Sequence, residues 1–74
     1  MKQFTLHAHF DTDARVWFGS IDELPMTTEA DTLDALVARV VEIAPEIAVL
    51  NGLAESGEQF CIQLSADRVA TAAA

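Results

Sequence analysis

The sequence predicts a small α+β domain: a βββαβ chain forming a single sheet, with one kinked helix packed on one face. Three observations predict it. Residues 3–10 and 58–66 alternate between apolar and polar side chains with the period of a strand. From Leu33 to Ala44 the apolar residues recur instead at steps of three and one, which places them on one face of a helix. Between these segments lie short clusters of Asp, Thr, Pro and Gly, residues that favour turns.

The first strand spans Gln3 to Phe10, with Phe4, Leu6, Ala8 and Phe10 on one face and Thr5, His7 and His9 on the other. Asp11 to Ala14 has turn chemistry, because an Asp carboxylate can accept from backbone two residues on. Arg15 to Ser20 is the second strand of the hairpin. Its alternation is read with Val16 and Phe18 toward the helix and Trp17 away from it. Ile21 to Pro25 is a bend, since Pro25 has no N–H to give a central ladder. Met26 to Glu29 is a short third strand. Asp31 or Thr32 caps the helix, and Asp34 adds charge that suits its N-terminus. Pro45 removes one helical bond but can open a new helical turn. Residues 45–50 therefore read as a kinked continuation, closed by Asn51-Gly52. After a loop through Ser56-Gly57, the last strand places Phe60, Ile62 and Leu64 on one face and Cys61, Gln63 and Ser65 on the other. The helical face Leu33, Leu36, Val37, Val40 and Val41 is expected to pack on Phe4, Leu6, Phe18, Phe60 and Ile62.

Composition narrows the function. The 74 residues carry four Lys plus Arg against twelve Asp plus Glu, a formal charge of −8. Phosphate binding needs a basic footprint, so direct nucleic-acid binding is not expected. The single cysteine cannot close an internal disulfide. Apolar stretches stop well short of the ~20 residues that span a bilayer, and the first residues lack the pattern of a signal peptide. A cytoplasmic location is expected. Residues 1–69 read as one domain and the Ala-rich residues 70–74 as a disordered end. A core this small gains from oligomerising, so a homodimer is expected.

The residues with chemistry to offer are few. His7 and His9 share a strand face, where two imidazoles can reach one metal if Cys61, Asp11, Asp13 or Glu29 supplies a third ligand. An open strand face explains the same spacing, and no metal or other cofactor is expected. Trp17, read on the open face beside the histidines, is either a contact surface or a side chain lying over its hairpin neighbours. Cys61 shares the histidines' face, but no oxyanion motif or Gly-rich elbow accompanies it. The first strand has no carboxylate, so two-metal nuclease chemistry has no anchor there. The chain does not read as an enzyme.

Val16-Trp17-Phe18, Asp22-Glu23-Leu24-Pro25 and Thr28-Glu29-Ala30-Asp31-Thr32-Leu33-Asp34-Ala35-Leu36, followed by Pro45 and Asn51-Gly52, form a familiar pattern. It resembles the HicB-like antitoxin domains, and more closely a branch of small uncharacterised bacterial proteins related to them. The resemblance runs over residues 4–64. It departs at Met26, where the pattern has Gly after Leu-Pro. It implies a partial ribonuclease H-like fold without nuclease residues. It also implies a non-catalytic module that neutralises a small basic mRNA-cleaving toxin of the HicA-like kind, often as a dimer. Many such antitoxins add a C-terminal DNA-binding segment. None follows the last strand here, so transcriptional autoregulation is not expected. Partner contact is expected at Asp22, Glu23 and Glu29 or on the open face with His7, His9 and Trp17. The alternative is a self-associating structural or ligand-binding domain.

Overall fold

The computed structural model describes residues 1–74. The elements are β1 (Lys2–Asp11), β2 (Val16–Ile21), β3 (Met26–Ala30), α1 (Leu33–Leu50) and β4 (Phe60–Asp67), the expected βββαβ order. They form a four-stranded sheet in the order β3-β2-β1-β4. β1 pairs antiparallel with β2 and parallel with β4, so it is central and β4 forms one edge. Beyond β4, residues 68–74 have no regular secondary structure.

The hairpin turn is built as its aspartates suggest. Asp11 Oδ1 accepts from the N–H groups of Asp13 (2.9 Å) and Ala14 (3.1 Å). Arg15 takes a left-handed conformation, φ 57°, and its N–H returns to the Asp11 carbonyl at 2.7 Å. The strand therefore starts at Val16, paired with Asp11. At the helix start Thr32 is the cap: its hydroxyl accepts from the Ala35 N–H at 3.0 Å. Helical geometry then runs unbroken through Pro45, whose missing N–H leaves the Val41 carbonyl without its usual donor. The helix ends in a Schellman arrangement. Leu53 N–H bonds the Ala48 carbonyl (2.9 Å), Gly52 N–H bonds that of Val49 (3.1 Å), and Gly52 has φ 71°.

The core lies between α1 and one sheet face. Leu36, Val40, Ala44 and Ala48, spaced by four, form the buried ridge of the helix. Val40, Ala44 and Ala48 cluster with Phe4, Leu6 and Ile21, Leu24 folds in from the bend before β3, and Leu36 stands over Gly19. Two expectations fail here. Val41 is 54% exposed, because the ridge follows the spacing of four and leaves Val41 on its flank. Phe18 does not face the helix, and Trp17 does not share the face of the histidines. The register pairs Trp17 with Phe10, Gly19 with Ala8 and Ile21 with Leu6, and directly paired residues share a face. The inward row of β2 is therefore Trp17, Gly19 and Ile21, and Phe18 points outward. A glycine shows no apolar side chain, so the inward set is masked at its centre.

Gly19 is where the helix comes closest. A Cβ built there would stand 2.9 Å from Leu6 Cδ1 and 3.0 Å from Leu36 Cδ2, both in fully buried side chains. Gly19→Ala is expected to lose about 1–3 kcal/mol by overpacking. Urea unfolding of the variant measures this, and an unchanged midpoint would contradict the close approach.

The loop into β4 is pinned by Glu58. Its Oε1 accepts from the Glu55 N–H at 2.9 Å, and Lys2 Nζ lies 3.5 Å from Oε2 while also donating to the Leu53 carbonyl. The backbone bond from Glu55 is the largest cause and, helped by the charge and hydrogen bond of Lys2, outweighs desolvation to hold the Glu58 pKa below its ordinary 4.5. A lowered carboxylate pKa stabilises the fold above the unfolded value, and the contribution fades as pH falls through the folded value. A carboxyl NMR titration should therefore place the Glu58 midpoint below 4.5. Lys2→Gln should raise that midpoint only in part, since the backbone bond remains.

Candidate functional site

The face of the sheet turned away from α1 carries the polar half of every strand. The pairings set out two rows across it. One row runs Glu29, Phe18, His9, Asp67 and the next runs Thr27, Ser20, His7, Ser65. Neighbouring strands lie about 4.8 Å apart, so each row is about 14 Å wide. In the first row the His9 and Phe18 rings stack at 5.7 Å, with an interplanar angle of 24°. Carboxylates stand at both ends of that stack. In the second row His7 Nε2 lies 2.9 Å from Asp22 Oδ2, a pair open to solvent on both sides. Glu23 is exposed in the same turn as Asp22. Asp11 adds another acidic group beside Val16 at the far end of the hairpin.

No Lys or Arg occupies either row. Lys2 reaches around to the Leu53 carbonyl and Glu58, and Arg68 lies over the Phe10 ring at 4.2 Å, both on the helix side. Arg15 is in the hairpin turn and Arg39 on the exposed side of α1. The open face therefore joins a flat aromatic patch to unpaired carboxylates. That combination recognises a guanidinium or ammonium group, by stacking on the ring face and by hydrogen bonds to the oxygens.

Of the residues singled out in the sequence, His7, His9, Asp22, Glu23 and Glu29 lie on this face or along its border. Trp17 does not. It is half-buried on the helix side, in an edge-to-face contact with Phe10 at 5.5 Å. Both of its readings put it on the open face, and this placement corrects them: Trp17 packs locally, but against Phe10 on the helix side. Phe18 and Asp67 belong to the site, and the sequence pattern does not single them out. An alternation shifted by one residue turns Phe18 inward, and Asp67 looks like a strand-end charge with no companion. Their signal lies in the strand register, which puts both beside His9.

The same register separates the groups that catalysis would have to join. Cys61 shares the open face but pairs with Gln3, four residues along from the row of His7, or about 13 Å. Its Sγ contacts Met1 Sδ at 3.2 Å. No group of three or more His, Cys, Asp or Glu side chains is arranged to hold a metal ion. No helix is long and apolar enough to cross a membrane.

Comparison with known proteins extends the fold but names no activity. No curated protein matches the sequence. The chain is similar to the crystal structure of a hypothetical protein from the extremely thermophilic bacterium Thermus thermophilus. The TM-score is 0.70 at 26% identity, over 97% of this chain and 99% of that one. A family model, described as a domain of unknown function (DUF1902), matches residues 3–73, nearly the whole chain and every element of the sheet and helix. The chain therefore belongs to the DUF1902 family.

Proposed function

We propose that the protein is a non-catalytic binding module of the HicB-like antitoxin kind, and that its open sheet face holds a small basic mRNA-cleaving toxin. The observation that carries this reading is the row Glu29, Phe18, His9, Asp67, an aromatic stack between carboxylates with no Lys or Arg in the row. A basic toxin offers the complementary charge, and the chain's −8 supplies long-range attraction. The resemblance from Trp17 to Leu36 points to the same class of partner. Phe18, rather than Trp17, takes the role of aromatic anchor. His7, His9, Glu29 and Asp67 surround it, and Asp22 and Glu23 act at the rim.

The test is co-expression with any toxin-like gene found adjacent to this one, followed by growth and co-purification. The expected result is rescue of growth and a stable complex that does not cleave RNA. Reversing the charge of Asp22 and Glu23 should mainly slow association and weaken its salt dependence, because rim charges act on encounter. No rescue and no complex, with both proteins folded, would eliminate the antitoxin reading for that pair. A second reading, a self-associating domain, is favoured by a different surface, the apolar side of β4, where Leu64 is 40% exposed.

A further inference from the structure

We propose that two copies of the chain join edge to edge through β4, antiparallel, about a two-fold axis that passes through Gln63. The sheet then continues from one copy into the other, in the order β3-β2-β1-β4 and its mirror sequence. The proposal stands apart from toxin binding, because the open faces of both copies stay uncovered.

β4 is an edge strand, so one side of its backbone has no ladder partner. An unpaired edge accepts another strand by backbone bonds alone, and side chains decide which strand and which register. The helix-side row of β4 is Phe60, Ile62, Leu64 and Ala66, the residues paired with Lys2, Phe4, Leu6 and Ala8 of β1. α1 covers this row only in part. Leu64 is 40% exposed, and Val41 on the facing flank of the helix is 54% exposed. An open groove of about 420 Å³ runs between this flank of the helix and the start of β4, lined by Val37, Val41, Pro45, Phe60 and Ile62, among others. The apolar surface therefore continues right up to the free edge.

The occupant is a second copy because this edge is complementary to itself. With Gln63 on the axis, Leu64 stands opposite Ile62 of the second copy and Ala66 opposite Phe60, each on the helix side. On the open side Cys61 meets Ser65. Beyond them Arg68 comes opposite Glu58, so opposite charges close both ends of the seam. Arg68 is already on the helix side, over Phe10, and Glu58 is on that side with Lys2. Moving the axis to Ile62 sets Ala66 against Glu58, and moving it to Leu64 sets Arg68 against Phe60. Of these three registers, only the Gln63 one pairs apolar with apolar and acid with base along the helix side, while Asp67 faces Gln59 on the open side. Opposite charges directly across an antiparallel pair favour it, and like charges oppose it.

The seam also gives the groove a neighbour. Leu64 of each copy lies across from Ile62 of the other, next to the opening framed by Phe60 and Val41. Exposed apolar area on both flanks leaves water together when the edges pair.

Sedimentation equilibrium and native mass measurement of the full chain at micromolar concentration should give a dimer. Leu64→Glu should lose the dimer while keeping the wild-type circular dichroism, because Leu64 is already partly solvent-exposed in the single copy. Arg68→Glu should weaken the dimer by roughly tenfold, since it sets two acids against each other at each end. The register has its own readout. Gln63→Cys in a Cys61→Ser background should form a disulfide-linked dimer under mild oxidation, because residues opposed on the axis have Cα atoms close enough for a disulfide. Ser20→Cys in the same background, one strand beyond β1, should not. A wild-type chain that remains monomeric overturns the proposal. So does a dimer that survives Leu64→Glu, or a Gln63→Cys variant that dimerises without cross-linking.

Discussion

Leu36→Ala is expected to lose about 2–5 kcal/mol of stability. The side chain is fully buried at the N-terminal end of the helix ridge, over the one inward position of β2 that has no side chain. Removing its three outer carbons leaves a void that neither strand can close, because Gly19 beneath it has no side chain and is held to Ala8 by the ladder between β1 and β2. In a chain of 74 residues such a loss is a large share of the total. The neighbour at Gly19 makes the effect specific. A methyl at position 19 would press on the Leu36 δ-carbons at 3.0 and 3.3 Å. In the Leu36→Ala background those carbons are gone, and Gly19→Ala should cost less than it does in the wild type, leaving only its contact with Leu6. Urea denaturation of the two single variants and the double variant measures the coupling. Costs that add without interaction would mean that Leu36 does not sit over Gly19.

The order of elements is legible in the sequence because it rests on local chemistry. The alternation of β1, the Thr32 cap, the three-and-one stepping of α1 and the Asn51-Gly52 ending each depend on residues within a few positions of one another. The faces of β2 are not legible in this way. Val16 and Phe18 make as good an apolar alternation as Trp17 and Ile21, and the residue that decides between them is a glycine. The decision comes from the turn: Arg15 in the left-handed region extends the loop by one residue beyond the expected boundary, and Val16 opens the strand opposite Asp11. A slip of one residue exchanges every side chain between the faces. The same slip hides half of the candidate site. His7, His9 and Glu29 are legible as outward residues, whereas Phe18 and Asp67 join them only through pairings between distant strands. Val41 departs from expectation for another reason. The three-and-one stepping defines a broad apolar stripe, and a helix narrow in its contact with the sheet buries only the ridge spaced by four.

The reversal of Trp17 and Phe18 gives the binding proposal its sharpest consequence. Phe18→Ala should leave the fold largely intact and raise the dissociation rate of the toxin complex, by roughly thirtyfold for an anchor worth about 2 kcal/mol. Phe18 lies over no helix, and its ring neighbour, His9, is itself exposed. Its removal opens no cavity in the core. What it removes is the flat surface on which a guanidinium between Glu29 and Asp67 would stack. Trp17→Ala should do the opposite. Its loss strips the packing from Phe10 and lowers the unfolding midpoint, while the open face keeps its carboxylates and its stack. Chemical denaturation and surface-immobilised kinetics on the same two variants read both effects. A Trp17→Ala protein that is fully stable but fails to hold the toxin, beside a Phe18→Ala protein that binds as the wild type does, would move the binding surface to the helix side of the sheet.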